Sequence, residues 1–407
     1  MVSRTTMLTS LYKPFFLGRP DLECNDLLPL FPSCSISVRG AARAAINIFS
    51  SCGHPPPRIP VYGAGSLKRS FLFDNSSNQT EMAVVLVTGG RGLVGKAIEH
   101  IINTEPIGSK FGKLPNETWV FVGSSEADLR DPEQTCKLYE KYKPTHVIHL
   151  AALVGGVYRN MKYKLTFLRD NILINDNILH TAYTHKTVKV VSCLSTCIFP
   201  DDIEYPLDES KLHGGLPHSS NFGYAHAKRM VDVQNRAYKE EFGCNFTAAI
   251  PTSVFGPHDN HDLENAHVIP ALMHRCYLAK KNGTPFVVGG SGRPLRQFIF
   301  SWDLAKLFIW MLRNHDDVEP IILSVAEEEE MSVKEIADAI VKAMGFEGEY
   351  SFDTTRSDGQ FRKPASNKRL LELIGGFEFT PFEQALDLSV KWFMENYETA
   401  RTGEITA

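Results

Sequence analysis

The chain of 407 residues has no long apolar run, and none approaches the roughly 20 residues that a membrane-spanning helix needs. It also lacks an excess of positive charge, because 43 Lys and Arg residues face 47 Asp and Glu residues and the net charge is −4. Proteins that bind nucleic acid or anionic membranes generally present a basic surface. We therefore expect a soluble protein with neither nucleic acid nor a membrane among its partners.

Cysteine is sparse, with eight residues and no CxxC pair. This spacing fits neither a disulfide scaffold nor a structural zinc site, so we predict no bound metal. Reduced thiols are typical of a cytoplasmic protein, which is the location that we expect.

Residues 1–81 lack a sustained helical or strand period and contain the proline cluster Pro55, Pro56, Pro57 and Pro60. We expect a disordered or targeting-like extension. Because basic residues outnumber acidic ones as far as residue 73, an organelle transit peptide is one interpretation. The others are a plain disordered extension and a start of translation at Met82.

From Ala83 onwards, short apolar runs alternate with helical patterns. Strands are predicted at residues 83–87, 119–122, 146–150, 189–194 and 246–250, with helices between them. Strands separated by helices form parallel βαβ crossovers. The predicted fold class is α/β, a Rossmann-type doubly wound parallel sheet with a smaller C-terminal α/β substrate domain. We expect the main domain at residues 82–253, the smaller one at 254–400 with segments returning to the main sheet, and a tail at 401–407.

A glycine turn follows the first predicted strand and opens the first predicted helix. It consists of Thr88, Gly89, Gly90, Arg91, Gly92, Leu93, Val94 and Gly95. Gly89 permits the tight bend, Gly92 lets the backbone approach phosphate oxygens, and Gly95 lets the helix pack on the sheet. Since a helix N-terminus attracts anions, the turn predicts a site for the pyrophosphate of a dinucleotide.

The second predicted strand has no acidic residue at its end, which reads Val122, Gly123, Ser124, Ser125. In NAD sites an acidic residue there binds the ribose hydroxyls, whereas an arginine accommodates the 2′-phosphate of NADP. Arg91 can supply that arginine, so the sequence favours NADPH over NADH. Glu126 follows slightly further on, and we expect Asp128 and Leu129 to lie beside the adenine.

Tyr224 and Lys228 lie four residues apart in a helical segment and so project from one face. An adjacent ammonium is expected to lower the pKa of the phenol towards neutrality and make it a useful acid–base group. Lys228 can also hold the nicotinamide ribose. Ser195 follows the run at 189–194, at the sheet edge where ligands bind, and can bond a substrate carbonyl together with Tyr224.

The complete set of motifs resembles the GDP-L-fucose synthase family of the extended short-chain dehydrogenase/reductase superfamily. The resemblance runs from about Ala83 to Tyr397. It is carried by the segments 151–156 (AALVGG), 192–200 (SCLSTCIFP), 221–224 (NFGY), 255–260 (FGPHDN) and 267–272 (HVIPAL).

The resemblance implies that GDP-4-keto-6-deoxy-D-mannose is epimerised at C3 and C5 and then reduced at C4 by NADPH to GDP-L-fucose. It implies Cys197 as the base and His267 as the acid of epimerisation. It also implies cofactor contacts from Pro251, Thr252, Ser253, Val254 and His267. The substrate-binding residues would be Arg275, Arg296, Asp358 and Lys363, and the protein would be a homodimer.

Two positions depart from the family's usual pattern. Ser253 stands where asparagine is common, and Gly289 stands where tryptophan is common. We expect altered substrate binding with retained chemistry. Two other functions stay open, namely another nucleotide-sugar epimerase or reductase of the superfamily, and a non-catalytic NADPH-binding sensor.

Overall fold

The computed structural model of the protein describes residues 82–356, Asp358 and residues 360–403. The expected extension at 1–81 lies outside the described residues, as do the last four residues of the expected tail.

The strands of the described region alternate with helices over its first two thirds. They are β1 (Ala83–Thr88), β2 (Glu117–Val122), β3 (His146–His149), β4 (Lys189–Cys193), β5 (Phe246–Pro251), β6 (Ser253–Phe255), β7 (Phe286–Gly289), β8 (Leu295–Arg296), β9 (Phe298–Phe300), β10 (Ile321–Leu323), β11 (Met331–Ser332) and β12 (Tyr350–Asp353). The main sheet has six strands in the order β10-β5-β4-β3-β1-β2, all parallel. The predicted doubly wound fold class is confirmed.

The helices are α1 (Leu93–Thr104), α2 (Pro132–Tyr142), α3 (Val157–Lys162), α4 (Lys164–Thr184), α5 (Phe222–Phe242), α6 (Val268–Asn282), α7 (Ser301–Asn314), α8 (Val333–Met344), α9 (Lys368–Ile374) and α10 (Phe382–Glu395). Local signals define several ends. Asp131 caps α2 by accepting the N–H groups of Glu133 and Gln134, and Ser332 forms a capping box with Glu335 at α8. None of these described helices is long and apolar enough to cross a membrane.

Both faces of the main sheet are covered. Successive strand residues point to opposite faces, so Val85 and Val87 pack with α1 and α7 while Leu86 packs with the core beneath α2, α4 and α5. This double burial explains why the strands read as apolar runs rather than as alternating patterns.

The beginning of α5 lies unusually close to the beginning of α4. A Cβ added at Gly223 would lie 2.0 Å from the carbonyl oxygen of Lys164, so only glycine fits there. This approach fixes the first turn of α5, which carries Tyr224.

The C-terminal part has its own core, in which Phe286, Ile336 and Phe393 are buried among residues of α6, α8 and α10. It contains the two-stranded pairs β7–β12, β6–β9 and β8–β11. The chain then returns to the main sheet at β10, which pairs with β5. The domain boundaries derived from the sequence stay a prediction.

Candidate active site

A cleft of about 910 Å³ lies at the carboxyl ends of β1, β4 and β5. Nearly all of the predicted catalytic and cofactor-binding residues line it: Gly89, Arg91, Gly92, Leu93, Val94, Gly95, Asp128, Leu129, Ser195, Tyr224, Lys228, Pro251, Thr252, Ser253, Val254 and His267. Gly90 is not among the residues that line the cleft, and its N–H donates to the Val122 carbonyl at 2.8 Å. Cys197 is not part of the wall either.

The glycine turn has the shape that a dinucleotide pyrophosphate requires. A Cβ at Gly89 would lie 2.8 Å from the backbone nitrogen of Ala151, and one at Gly95 would lie 2.5 Å from the Cα of Gly90. Gly92 precedes α1 without a side-chain cap, so the first N–H groups of the helix face the cleft unblocked. These donors and the helix dipole fit a bound diphosphate.

Arg91 lies across the end of β2. A Cβ at Gly123 would be 2.8 Å from the Cδ of Arg91, which explains why a glycine ends this strand. The Arg91 guanidinium contacts the Glu126 carboxylate, with Nη2 and Oε1 3.3 Å apart. Burial raises the pKa of Glu126, but the hydrogen bonds from Arg91, Gly123 and Tyr142 outweigh it, so the net shift is downward and the carboxylate is charged.

The residues expected beside the adenine are held by an ion-pair network. Arg130 binds Asp128 through two nitrogens, with the shortest contact at 2.7 Å, and reaches Asp170 of α4 at 3.0 Å. Leu129 is buried. The network joins the loop after β2 to α4 and so fixes that end of the cleft.

At the other end of the cleft, Lys228 is buried and its Nζ donates to the carbonyl oxygen of Cys193 at 2.8 Å. Burial lowers the pKa of Lys228. Burial raises the pKa of Tyr224 well above its usual value, and the nearby thiols of Cys197 and Cys193 add to the effect. The expected fall of the Tyr224 pKa towards neutrality is therefore wrong in direction, because desolvation of the phenolate dominates.

A buried polar network lies close to Lys228. His149 shares a hydrogen bond with the Thr88 hydroxyl at 2.8 Å through Nδ1 and another with Oδ1 of Asn175 at 3.1 Å through Nε2. Burial lowers the pKa of His149 to about 3, and the Lys228 charge acts in the same direction. The ring is therefore neutral, and it ties β1 and β3 to α4.

Cys197 lies in a short turn after Ser195, whose Oγ accepts the N–H of Cys197 at 3.4 Å. Burial raises the pKa of the Cys197 thiol, while the hydrogen bond to Ser195 and the charges of Lys363 and Lys228 oppose the rise. Lys363 was predicted only as a substrate ligand, and the structure places its charge within reach of this thiol.

His267 precedes α6, and its ring is accessible from the cleft although protein surrounds it. This enclosure lowers the pKa of His267. At neutral pH the two predicted epimerisation residues are thus a neutral thiol and a neutral imidazole, so the pair holds one exchangeable proton.

The four predicted substrate ligands are not in the cleft wall. Arg296 and Lys363 lie near each other on the side of Cys197. Burial lowers the pKa of Lys363, the Arg296 charge adds to this effect, and Cys197 opposes it. Arg296 donates to the carbonyls of Leu295, Phe361 and Gln360. Asp358 accepts from the backbone and hydroxyl of Ser291 at 2.6 and 2.7 Å, and Arg275 is a half-buried residue of α6.

Gly289 is covered by another side chain. A Cβ at this position would lie 2.9 Å from the Cδ of Arg356, which also pairs with Asp353 at 3.2 Å. The space beside Gly289 is therefore lined by a guanidinium rather than an aromatic ring.

Two cations of the cleft wall were missed from the sequence. Arg130 stood in a polar loop and Arg401 in what was taken as a tail, yet both line the cleft with the predicted residues. Neither has a local motif, because only the folding of distant segments brings them there.

A doubly wound sheet, a glycine turn at a helix N-terminus, and a Ser–Tyr–Lys set at the same sheet edge define a dinucleotide-dependent oxidoreductase of the Rossmann class. The sequence pattern of the NAD dependent epimerase/dehydratase family matches residues 85–326.

Known relatives narrow the class. The chain is 54% identical to "GDP-L-fucose synthase" of Dictyostelium discoideum over 322 residues, covering 79% of this chain and 98% of that protein. It is 51% identical to "Probable GDP-L-fucose synthase" of Drosophila melanogaster over 327 residues, covering 79% of this chain and 100% of that protein. The crystal structure of a GDP-L-fucose synthetase from Naegleria fowleri bound to NADP is 50% identical with a TM-score of 0.74, covering 79% of this chain and 97% of that one.

The chain therefore belongs to the NAD dependent epimerase/dehydratase family and, within it, to the GDP-L-fucose synthases. The resemblance, the enzyme class and the NADP cofactor predicted from the sequence are confirmed. The roles of individual site residues stay predictions.

The position of Arg91 predicts a selective effect on cofactor binding. In Arg91→Ala the dissociation constant for NADP⁺ should rise by about 10- to 100-fold, because a charged hydrogen-bond partner of the 2′-phosphate is lost. The dissociation constant for NAD⁺ should hardly change. Isothermal titration calorimetry with both ligands measures the difference.

Glu126→Gln is the matched variant, because it removes the carboxylate that forms an ion pair with the Arg91 guanidinium. It should bind NADP⁺ about two- to fivefold more tightly, as expected for losing a partly exposed competing ion pair. An equal loss of both cofactors in Arg91→Ala would rule out the assignment of Arg91 to the 2′-phosphate.

Proposed function

We propose that the protein converts GDP-4-keto-6-deoxy-D-mannose to GDP-L-fucose in two steps, epimerisation at C3 and C5 followed by reduction at C4, with Ser195, Cys197, Tyr224, Lys228 and His267 as the catalytic residues. The observation that carries this proposal is the single cleft that joins the glycine turn to Ser195, Tyr224, Lys228 and His267. Membership of the GDP-L-fucose synthase family supports the choice of substrate.

NADPH, when bound at the glycine turn, supplies the hydride for the C4 ketone. Tyr224 delivers a proton to the oxygen of that ketone, and its raised pKa keeps the phenol protonated until the oxygen becomes basic. Ser195 donates a hydrogen bond to the same oxygen. Lys228 is anchored on the Cys193 carbonyl, where it orients the nicotinamide ribose and offsets negative charge on Tyr224.

Epimerisation needs one group that removes the proton beside the ketone and another that returns a proton to the opposite face. Cys197 acts as the base and His267 as the acid, as the family resemblance implies. In the resting site the thiol carries the proton and the imidazole is neutral. The reactive form, a thiolate with an imidazolium, has the same number of protons as this resting form.

The nucleotide and the diphosphate of the substrate are bound by Arg275, Arg296, Lys363 and Asp358, with the cations Arg296 and Lys363 on the Cys197 side. Guanidinium groups bind diphosphate oxygens in pairs, and burial strengthens the attraction. Arg356 provides a planar surface beside Gly289 for the sugar nucleotide. The cytoplasmic location stays a prediction.

The reaction is tested by incubating the protein with GDP-4-keto-6-deoxy-D-mannose and NADPH and identifying the product by NMR. GDP-L-fucose is expected. Another reduced or epimerised sugar would identify a different nucleotide-sugar enzyme, and cofactor binding without turnover would indicate a sensor.

Two variants separate the steps. Tyr224→Phe should lose reduction by about 100-fold or more, because the proton donor is removed, while deuterium from heavy water still enters at C3 and C5. Cys197→Ser should lose the exchange by a similar factor, since a serine hydroxyl is a much weaker acid than a thiol and almost none of it ionises to the anion that acts as the base. Loss of exchange in Tyr224→Phe would contradict this division of roles.

The proton count predicts the pH dependence of exchange, measured in Tyr224→Phe at saturating substrate. The active pair, thiolate with imidazolium, has the same number of protons as the resting pair, so its fraction is constant between the two pKa values. Exchange should fall at low pH as His267 and Cys197 are both protonated, below the lowered pKa of His267. It should fall at high pH as both lose protons, above the raised pKa of Cys197.

Lys363→Met provides the control for this profile. Removing the ammonium that stabilises the thiolate should raise the Cys197 pKa, lower the plateau and move the basic limb to higher pH. A basic limb that moves to lower pH would show that Lys363 does not act on Cys197.

We also propose that the protein is a homodimer that pairs through α4 and α5. Both helices carry exposed apolar side chains at helical spacing on one face, Leu165, Ile172 and Leu173 on α4 and Phe222, Met230 and Val233 on α5. Val157 and Met161 of α3 extend the surface. An apolar surface of this size is typical of an interface between protein subunits.

The double variant Met230→Glu with Val233→Glu should be a monomer, because it would place charges in the centre of an apolar contact. Light scattering after size-exclusion chromatography measures the mass. Ile107→Glu changes a still more exposed apolar residue away from these helices and should stay dimeric. A monomeric wild-type protein would contradict the proposal.

A further inference from the structure

The last described residues of the chain are held against the loop that follows β6. The Arg401 carbonyl accepts the N–H of His261 at 2.8 Å, and Arg401 forms a parallel bridge with Asn260. The Arg401 guanidinium donates through Nη2 to the His258 carbonyl at 2.8 Å. Backbone pairing and a side-chain hydrogen bond thus fix the position of Arg401, which follows the last helix.

The loop itself lies beside the beginning of α1. The ring of His258 is close enough to Lys96 of α1 for the ammonium to lower its pKa, after the larger effect of burial. His258 has a φ of +67°, which is unfavourable for a residue with a side chain, by about 1 kcal/mol or more. This conformation precedes Asp259, which faces the cleft.

Asp259 has a carboxyl oxygen without a partner. Its side chain is 4% exposed, its Oδ1 accepts the N–H of Asn260 at 2.6 Å, and its buried Oδ2 has no hydrogen bond within the described structure. Burial raises the pKa of Asp259 to about 7, which reduces its repulsion of an anion nearby. A buried polar atom without a partner needs an explanation, and a protonated carboxyl at Asp259 can donate a hydrogen bond to an anionic ligand in the adjoining cleft.

Four Lys or Arg residues of the described chain line the cleft, namely Arg91, Arg130, Lys228 and Arg401. Arg91 contacts Glu126 at the end of β2, Arg130 binds Asp128 and Asp170, and Lys228 is buried on the Cys193 carbonyl. Arg401 has a neutral carbonyl as its hydrogen-bond partner and no described carboxylate within ion-pair distance, although its charge acts on the nearby Asp259 carboxyl and opposes the effect of burial there. Its charge is therefore available to an anionic ligand.

The part of the dinucleotide that reaches the beginning of α1 is the pyrophosphate. The glycine turn supplies N–H donors for it but no cation, because Arg91 lies across Gly123 at the end of β2. We propose that Arg401 is a binding residue for the dinucleotide pyrophosphate, so that the C-terminal segment forms one wall of the cofactor site. This inference rests on the cofactor site of the proposed function.

The pyrophosphate is common to NADP⁺ and NAD⁺, whereas the 2′-phosphate belongs to NADP⁺ alone. Arg401→Ala should therefore weaken both cofactors by the same factor, about tenfold or more. It should weaken ADP-ribose, which contains the pyrophosphate, and leave adenosine 2′-monophosphate, which lacks it, unchanged. Arg91→Ala should give the opposite pattern. It should weaken the binding of adenosine 2′-monophosphate and leave the binding of ADP-ribose unchanged, and it should weaken the binding of NADP⁺ but not of NAD⁺.

Titration calorimetry of the full chain with these four ligands makes the test. Arg401→Lys should recover part of the affinity, because it keeps the charge but loses the planar fork. Arg293→Ala changes an exposed arginine outside the cleft and should leave every affinity unchanged. Melting temperatures show whether each variant keeps the loop folded.

Three results would overturn the inference: no loss in Arg401→Ala, unequal losses of NADP⁺ and NAD⁺, or an equal loss of adenosine 2′-monophosphate and ADP-ribose. The last would mean that Arg401 only supports the loop at His258. If the wild-type protein bound neither cofactor, the proposed function itself would fail, so the two failures are distinguishable.

Discussion

The architecture depends on one contact of backbone against backbone at the glycine turn. A Cβ at Gly95 would lie 2.5 Å from the Cα of Gly90, and one at Gly89 would lie 2.8 Å from the nitrogen of Ala151. Because no side chain fits in either place, the first turn of α1 rests on the turn after β1, and that turn rests on the chain just after β3. The helix N-terminus and its unpaired N–H groups are thereby held at the sheet edge where β4 and β5 also end.

Burial at that edge acts on every catalytic group in the direction of its neutral form. It raises the pKa of Tyr224 and of Cys197, and it lowers the pKa of Lys228 and of His267. Tyr224 and Cys197 therefore keep their protons, whereas His267 is left neutral and must gain a proton before it can donate one. The charge of Lys363 acts on Cys197 against the effect of burial and so favours the thiolate.

The fold was largely predictable because its signals are local. Apolar runs located five of the six strands of the main sheet but not β10, and the short helices α3 and α9 were not predicted. The glycine turn and the four-residue spacing of Tyr224 and Lys228 are equally short patterns, and both lie in the cleft. The pairing of Cys197 with His267 had no local signal and came from the family resemblance.

Other properties of the site could not be inferred from neighbouring residues. The charge of Lys228 suggested a lowered pKa for Tyr224. Desolvation of the phenol dominates instead, and desolvation depends on every segment that the fold packs around the ring. The contact between Arg91 and Glu126 could not be predicted, because it depends on the path that the loop after β2 takes in the folded chain. The approach of Lys363 to Cys197 joins segments more than 160 residues apart in the sequence.

The sequence by itself thus determined the strand and helix order, the dinucleotide turn and the chemical types of the reacting groups, since each depends on residues within one turn or one crossover. Only the tertiary structure decided the protonation states, the ion pairs and the position of Arg401 in the cofactor cleft. Those properties depend on burial and on distances between remote segments, and both exist only once the chain has folded.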